Sequence, residues 1–304
     1  MNSVATIVVK KGEAETLKLA LEAVRSTLQD RGAVIEGTVQ LGPAEASEIA
    51  FECLDGPSAR LAVQDALQNL PADYCISSIN HRRKKLMLAD MDSTIIEIEC
   101  IDALATMVNL EHQIAPITEA AMRGEIEFRA ALEKRVRLLA GLEQGILEKV
   151  YQDRVTLSDG ARELVAVMRA SGARTVLVSG GFTYFADRVG EDVGFDLAHS
   201  NQLEIIDGRL SGQIIGQIMD ANGKRQCLLD HCANLNIEPR WVMALGDGAN
   251  DLLMMQEAGL SISYCGKPAV EKGADGIIRH TSLKSALFFQ GFSQKEIENS
   301  LRVS

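Results

Sequence analysis

Two acidic residues stand directly after a short apolar segment of the chain. Asp90 follows the run Leu86–Ala89, and Asp92 comes two residues later. Two carboxylates at this spacing repel each other, and the repulsion falls when one of them binds a cation or holds a proton. The pair is therefore suited to metal binding or to acid–base chemistry, although an acidic turn after a strand would give the same pattern.

A second cluster of oxygen-bearing side chains follows the apolar segment Trp241–Leu245. Asp247, Asn250 and Asp251 lie within five residues, next to glycines that let the backbone turn sharply. Hard divalent cations such as Mg²⁺ take oxygen ligands of this kind. The cluster therefore predicts a divalent cation site, with a plain acidic turn as the alternative. Asn250 is also a suitable N-cap for the helix predicted at 252–258.

Two further places in the sequence offer groups that could hold an anion. The apolar segment 174–178 ends in Ser179 and Gly180, and free backbone N–H groups at the start of the following helix attract anions. Lys224 lies in the first turn of a predicted helix, where a cation is unfavourable for the helix dipole. This local cost indicates a role for the Lys224 amine. The ordinary alternatives are a solvated lysine and a glycine turn after a strand.

The apolar patterns predict the elements that position these residues. Short apolar runs that end at turn residues are typical of buried strands in an α/β sheet, and the ligand sites of such sheets lie beyond the carboxyl ends of the strands. We predict strands at 86–89, 174–178, 241–245, 260–264 and 276–279. In this prediction, helices connect these strands and residues 198–219 form a hairpin.

Residues 98–155 show a different pattern, because they lack strand signals and carry apolar residues at helical spacing. We interpret them as a helical insert between the first two strands of the larger sheet. An insert at this place is well positioned to cover the site and exclude water.

The pattern of the first 82 residues predicts a separate, smaller domain. Their pattern is strand, helix, strand, strand, helix, strand, which is the order of the ferredoxin-like α+β arrangement. In order and size the segment resembles the small ACT-type amino-acid-binding modules. Formation of a homodimer and packing without a ligand are equally good alternatives. We therefore predict two domains, at 1–82 and 83–304, with the boundary among the polar residues 80–83.

Composition argues against several classes of protein. The 304 residues carry a net charge of −11, which argues against nucleic acid and anionic membranes as partners. No apolar run approaches the ~18 to 20 residues that span a bilayer, and the N-terminus predicts no secretory signal.

The six cysteines are scattered along the chain. Cys227 and Cys232 are the closest pair, and by spacing no second cysteine pair or histidine pair completes a zinc site with them. We interpret the cysteines as reduced thiols of a cytoplasmic protein, most of them part of the core.

The order of these groups, acid pair, hydroxyl, lysine and acid cluster, resembles the haloacid dehalogenase-like phosphotransferase superfamily. The motifs of that superfamily run D-x-D, S/T, K and G-D-x-x-x-D, and all of them are present within residues 84–281. A closer similarity to the phosphoserine phosphatase family lies in D-M-D-S-T, in Glu99, in E-F-R-A-A-L-E-K-R-V at 127–136, in V-S-G-G-F at 178–182 and in G-D-G-A-N-D at 246–251.

The resemblance implies a Rossmann-like α/β core with a helical cap at about 98–155. It implies a hydrolase that converts O-phospho-L-serine to L-serine and phosphate through an aspartyl-phosphate, the last step of serine biosynthesis. In that role Asp90 would be the nucleophile, and Asp92 would be the general acid and then the general base. Ser179 and the Gly180 amide would hold phosphate oxygens, and Lys224 would neutralise charge on the phosphoryl group and on Asp90.

The same resemblance implies one Mg²⁺ per active site. Asp90, Asp247 and the backbone carbonyl of Asp92 would hold the ion. Asn250 would orient the phosphate, and Asp251 would orient the groups around it.

In the cap, the resemblance assigns the substrate's amino-acid end to four residues. Glu99 would receive the ammonium group and Arg135 the carboxylate, with Met122 and Phe128 closing the pocket. An acid suits an ammonium and a bidentate arginine suits a carboxylate. Without the resemblance, a surface ion pair in a charged helical insert would explain both Glu99 and Arg135.

Two alternatives stay open on the sequence. One is a phosphatase or phosphotransferase of the same superfamily that acts on another small phosphate ester. The other is a regulatory protein whose residues 1–82 bind an amino acid while the phosphatase domain is inert.

Overall fold

The computed structural model describes residues 3–122 and 125–302, except the side chain of Met122. The strands are β1 (Ser3–Val8), β2 (Val34–Gly42), β3 (Ala46–Glu52), β4 (Asp73–Ser78), β5 (Leu86–Ala89), β6 (Arg174–Phe182), β7 (Leu197–Ile206), β8 (Arg209–Ile215), β9 (Val242–Gly246), β10 (Leu260–Tyr264) and β11 (Gly276–Ile278). The helices are α1 (Ala14–Asp30), α2 (Gly56–Leu67), α3 (Cys100–Met107), α4 (Glu111–Met122), α5 (Phe128–Leu138), α6 (Gly145–Arg154), α7 (Ala161–Ala170), α8 (Thr183–Val193), α9 (Ala221–Leu235), α10 (Leu252–Glu257), α11 (Pro268–Glu271), α12 (Ser285–Phe289) and α13 (Gln294–Leu301).

These strands form one sheet in the order β2-β3-β1-β4-β11-β10-β9-β5-β6-β7-β8. The central part, from β11 to β7, is parallel, and both flanks are antiparallel. The predicted α/β core is therefore confirmed, with β5, β6 and β9 side by side. Because their carboxyl ends meet at one edge, the polar residues that follow them come together there.

The central strands read as continuous apolar runs because helices cover both faces of the sheet. Alternate residues of β5 enter different core clusters: Leu86 and Leu88 pack toward α9 and α10, whereas Met87 and Ala89 pack toward α7 and α12. All four side chains are fully buried. At about 1.5–3 kcal/mol for each large apolar side chain, this burial makes β5 a rigid support for the turn that follows it.

The insert at 98–155, which lies between β5 and α7, contains the helices α3, α4, α5 and α6, as its helical spacing predicts. It is attached to the β7–β8 hairpin by backbone hydrogen bonds. The amide of Gly141 donates to Leu210 O at 2.8 Å, and the amide of Leu210 donates to Leu142 O at 2.9 Å. The insert is thus tied to the far edge of the sheet as well as to the strand that precedes it.

The N-terminal strands β1–β4 and helices α1 and α2 have the predicted element order. Their sheet does not stand apart, because β4 pairs antiparallel with β11 through Cys75↔Gly276 and Tyr74↔Ile277. The sequence predicted no such pairing, since β11 comes about 200 residues after β4. The division into domains at 1–82 and 83–304 stays a prediction.

Two local predictions were wrong. β6 does not end at Val178 but runs to Phe182, with a break in its pairing to β7 between these two residues. Asn250 is not the N-cap of the helix that follows it, because Ala249–Asp251 form a 3-10 turn and α10 begins at Leu252. None of the helices in the described part of the chain is long and apolar enough to cross a bilayer.

Candidate active site

The turn after β5 places two buried carboxylates at the edge of the sheet. Asp90 accepts a 2.7 Å hydrogen bond from the amide of Met91, and Ser93 adopts a left-handed conformation with φ 55°. This sharp turn lets the Asp92 carboxylate accept bonds from the Cys100 amide at 2.9 Å and from the Ser179 hydroxyl at 3.2 Å. Asp92 is therefore held between the end of β6 and the start of α3.

Lys224 is fully buried in the first turn of α9 and contacts two carboxylates. Its Nζ lies 2.7 Å from Asp90 Oδ1 and 2.7 Å from Asp251 Oδ1. Burial by itself lowers the pKa of Lys224, but the charges of Asp251 and Asp90 outweigh burial and raise it. The position that is unfavourable for the helix dipole is therefore occupied by a lysine that stays charged inside the protein.

Three buried carboxylates face one another at this edge. The side-chain oxygens of Asp90, Asp247 and Asp251 lie within 4.8 Å of one another. Burial, and then the charge of Asp251, raises the pKa of Asp90 well above its usual range and that of Asp247 to about 6. Lys224 and the exposed Lys267 near Asp247 supply two positive charges against three acids, so the cluster has the oxygen donors and the excess negative charge that suit a hard divalent cation.

Asp251 also shapes the loop after β9. Its second oxygen accepts the amides of Asp247 at 3.2 Å and Gly248 at 3.1 Å. The side chain of Asn250 points instead toward Asp90, with Nδ2 3.5 Å from Asp90 Oδ2. The loop thus directs the Asn250 amide toward the carboxylate rather than into a helix cap.

The Ser179–Gly181 segment lies directly beside Asp92. The Ser179 hydroxyl accepts the Gly181 amide at 2.8 Å while it donates to Asp92. A Cβ on Gly181 would lie 2.7 Å from Asp92 Oδ2, so only glycine allows this close approach. A Cβ on Gly180 would lie 3.1 Å from the ring of Phe128. Helix α5 of the insert therefore lies against the Ser179–Gly181 segment, which is the candidate phosphate-binding segment.

Charged side chains of the insert surround Asp92. Glu99 accepts the Ser93 hydroxyl at 2.8 Å, and burial together with the Glu99 charge raises the pKa of Asp92 to about 6. Arg135 is half-buried, and burial lowers its pKa although the charges of Asp102, Glu99 and Asp92 oppose this shift. An acid and a cation therefore lie near Asp92. Of the predicted residues, Met122 has a side chain outside the described residues.

Sequence reasoning gave no role to three residues at this site. Asn201 donates to Gly180 O at 2.8 Å and accepts the Met219 amide at 2.7 Å, so it holds the end of β6. Lys267 Nζ lies 3.7 Å from Asp247 Oδ2, and Asp102 lies near Arg135. Lys267 follows the end of a predicted strand, and that position was the only signal that could have revealed it.

The chain belongs to the haloacid dehalogenase-like hydrolase family, whose model matches residues 87–256. Among its relatives are phosphoserine phosphatases. That of Archaeoglobus fulgidus is 42% identical over 82% of this chain and 70% of its own length. That of Albidiferax ferrireducens is 46% identical over 67% of this chain and 88% of its own length. The solved structure of a probable phosphoserine phosphatase from Vibrio cholerae is 30% identical, with a TM-score of 0.75 over 98% of this chain and 88% of that one.

Proposed function

We propose that this chain is a phosphoserine phosphatase, which hydrolyses O-phospho-L-serine to L-serine and phosphate. The names of its relatives support this substrate. The observation that carries the chemistry is the arrangement of Asp90, Asp92 and Lys224: one carboxylate in contact with a buried ammonium, and beside it a second carboxyl whose pKa is raised to about 6. Asp90 is the nucleophile, Asp92 the proton carrier and Lys224 the fixed positive charge.

In the first displacement, an oxygen of Asp90 attacks phosphorus and the bond from phosphorus to the serine oxygen breaks. Protonated Asp92 gives its proton to the leaving serine oxygen, and the product is an aspartyl-phosphate. A carboxyl with a pKa of about 6 carries a proton often enough near neutral pH to do this and gives it up readily. Lys224 stabilises the charge on the phosphoryl oxygens and holds Asp90 in place.

In the second displacement, Asp92 accepts a proton from water. The water oxygen attacks phosphorus, the bond from phosphorus to Asp90 breaks, and phosphate leaves. The Ser179 hydroxyl and the Gly180 amide hold the phosphoryl oxygens while Asn250 orients them. Splitting one slow hydrolysis into two displacements is the advantage of a carboxylate nucleophile.

The carboxylate cluster fits one Mg²⁺, because all its donors are oxygens and because Lys224 and Lys267 balance only two of three negative charges. Asp90, Asp247 and the backbone carbonyl of Asp92 would hold the ion, with Asp251 in position to orient them. Bound there, Mg²⁺ would neutralise negative charge on the phosphate.

The helices α3–α6 would serve as the cap that recognises serine. Glu99 binds the substrate ammonium and Arg135 its carboxylate, while Phe128 closes the pocket. Met122, which is assigned to the same pocket, has a side chain outside the described residues. The contact of the Phe128 ring with Gly180 supports this placement, because it brings the cap onto the phosphate site. Exclusion of water by the cap would strengthen every charge interaction inside.

Residues 1–82 are proposed as a ferredoxin-like, ACT-like domain that binds an amino acid or joins two copies of the chain. A cytoplasmic location follows from the biosynthetic reaction and stays a prediction.

The deciding experiment measures phosphate release from L-phosphoserine and from a panel of other small phosphate esters, with Mg²⁺ and with excess chelator. We expect a strong preference for phosphoserine that is lost on chelation. Equal rates on unrelated esters would support the phosphatase chemistry but reject phosphoserine as the specific substrate. Full activity after complete removal of divalent ions would reject the metal site.

A further inference from the structure

Three metal-ligating side chains outside the active site meet on one face of the sheet. His199 lies on β7, and Cys227 and His231 lie one turn apart on α9. Their ligand atoms all lie within 4.8 Å of one another, and the two histidine Nε2 atoms are 3.1 Å apart. All three side chains are half-buried, so an ion from solvent can reach them.

Strand register and helix period explain why these residues meet. His199 pairs with Val178 of β6, and paired residues of neighbouring strands point to the same face of a sheet. Val178 packs in the same core cluster as Leu228 of α9, so His199 faces that helix. Cys227 and His231 are four residues apart, which places both on one side of α9.

The chemistry of the three ligands selects a transition metal rather than Mg²⁺. Thiolate and imidazole together suit zinc, which is commonly held by three protein ligands and one water. Two imidazole nitrogens that each bind a tetrahedral zinc at about 2.0–2.1 Å lie about 3.3 Å apart. The 3.1 Å between His199 and His231 is close to this value.

We propose that His199, Cys227 and His231 bind a zinc-class divalent ion, with water as the fourth ligand. Binding replaces the thiol proton of Cys227 by the metal, and that proton leaves to solvent. Burial lowers the pKa of His231, and His199 and Arg174 lower it further against a smaller opposite effect of Asp230, so the neutral imidazole that a metal ion requires is favoured. The thiolate itself offsets one of the two charges of the ion.

The site would fix α9 against β7. Lys224, Cys227 and His231 are spaced so that they share one side of α9, and Lys224 holds the carboxylates of the active site. A bound ion would therefore clamp the helix that carries the buried lysine. The inference does not depend on the proposed substrate, because its test measures metal binding and not turnover.

The test uses the full chain freed of metal and then saturated with Mg²⁺. Zinc is added in equilibrium dialysis, and Co²⁺ is added in a parallel absorption titration. We expect one tightly bound zinc per chain and a cobalt spectrum with a thiolate charge-transfer band. Loss of a partner that only supports a ligand costs about 10–100-fold in affinity. We therefore expect Cys227→Ser and His231→Ala each to weaken zinc binding by more than about 100-fold.

Matched control variants test whether zinc binds at other places in the chain. Cys265→Ser removes an exposed thiol outside the cluster, and His112→Ala removes an exposed histidine of the insert. Both should bind zinc as the wild type does. Asp247→Asn disrupts the carboxylate cluster and should also keep this zinc.

Four outcomes would overturn the proposal, and the first three are these. One is a wild-type cobalt spectrum without a thiolate band. Another is equal loss of zinc in Cys265→Ser and Cys227→Ser. The third is loss of zinc in Asp247→Asn but not in Cys227→Ser. In each case the two histidines share only a hydrogen bond. Circular dichroism of the Cys227→Ser and His231→Ala variants separates loss of the site from loss of the fold, and retention of zinc by both folded variants would also reject the site.

Discussion

Lys224 is the residue whose environment most constrains the proposed chemistry. A buried ammonium is stable only when paired, and removal of one partner leaves an uncompensated charge inside the protein. Asp251 holds Lys224 from one side while its other oxygen is tied to the loop after β9. The charge of Lys224 is therefore directed at Asp90, where the phosphoryl group would be transferred.

Replacement of the proposed nucleophile separates activity from folding. In Asp90→Asn we expect turnover of phosphoserine to be abolished, because an amide oxygen does not form the acyl phosphate. The metal-free variant should melt at the same temperature as the wild type or higher, because Asp251 still pairs with Lys224 and because the raised pKa of Asp90 means that its ionised form destabilises the fold. Turnover and thermal melting check both statements. Substantial residual turnover would reject Asp90 as the nucleophile.

The stability of the metal-free chain should depend on pH through Asp92 and Asp247. The pKa of each rises from 3.8 in the unfolded chain to about 6 in the folded one, because both carboxyls are buried among other acids. The folded state thus holds more protons. The stabilising contribution is complete below about pH 3.8 and is lost as the pH rises through about 6.

Mg²⁺ should reverse this trend, because the ion binds only the ionised carboxylates. We expect added Mg²⁺ to raise the melting temperature more at about pH 7.5 than at about pH 5.5. In Asp247→Asn the stabilisation by Mg²⁺ should be largely lost. A Mg²⁺ effect of equal size at both pH values would contradict the assignment of the carboxylates as ligands.

At the scale of elements, the proposed function gives the insert α3–α6 the role of recognising the substrate. It carries Glu99 and Arg135 to the vicinity of Asp92, and its backbone is fastened to the β7–β8 hairpin by Gly141 and Leu142. In the proposed function, substrate selection and phosphoryl chemistry would thus belong to different elements. Substitutions in the insert should therefore affect specificity without removing the chemistry.

Arg135 provides the test of that separation. In Arg135→Ala we expect kcat/KM for phosphoserine to fall by about 100-fold or more, since a charged hydrogen-bonded pair contributes about 1.5–3 kcal/mol or more when buried. Hydrolysis of p-nitrophenyl phosphate, which has no carboxylate, should change little. Arg137→Ala, an exposed arginine of the same helix, is the matched control and should leave both rates unchanged. Equal losses on both substrates would remove Arg135 from recognition.

The elements themselves were largely predictable from the sequence, because apolar periodicity and turn residues are local signals. The central strands, the helical insert and the hairpin all appear near their predicted places. The motif residues meet because parallel strands end at one edge, so much of the candidate site could also be anticipated. The end of β6 could not, since the Ser179 hydroxyl donates to Asp92, which lies in the turn after β5 and is distant in the sequence.

Contacts between distant elements left no such signal. Asn201 sits within β7 and supports Gly180 by a hydrogen bond that no spacing rule predicts. In the same way, the cysteines predict no zinc site by spacing, because His199 reaches Cys227 and His231 from a different element. The β4–β11 pairing also could not be predicted from the sequence, because it joins elements that are far apart in the chain.

The whole molecule is organised by its single sheet, which makes the N-terminal strands and the α/β core mechanically continuous. At the junction, the buried carboxylate of Asp73 accepts the amides of Arg279, His280 and Thr281, and the Thr281 hydroxyl as well. One side chain at the start of β4 therefore holds the chain that leaves β11.

Removal of this carboxylate should destabilise the whole chain. In Asp73→Ala three part-buried hydrogen bonds from backbone amides lose their acceptor, and at roughly 1 kcal/mol for each bond we expect unfolding to become easier by about 3 kcal/mol. Asp65→Ala, which breaks the exposed pair with Arg31, should cost less than about 1 kcal/mol. Denaturant unfolding of both variants measures the difference. A cost for Asp73→Ala no greater than that for Asp65→Ala would show that the junction contributes little.

The pairing of β4 with β11 also has a consequence for the synthesis of the protein on the ribosome. About 200 residues separate Ser78 from Gly276, which at about 5–20 residues per second takes roughly 10 to 40 s to synthesise. Throughout that interval the outer edge of β4 has no partner strand, and an open edge is a template for pairing with other chains. Nascent chains of this protein should therefore depend most on chaperones between the emergence of β4 and that of β11.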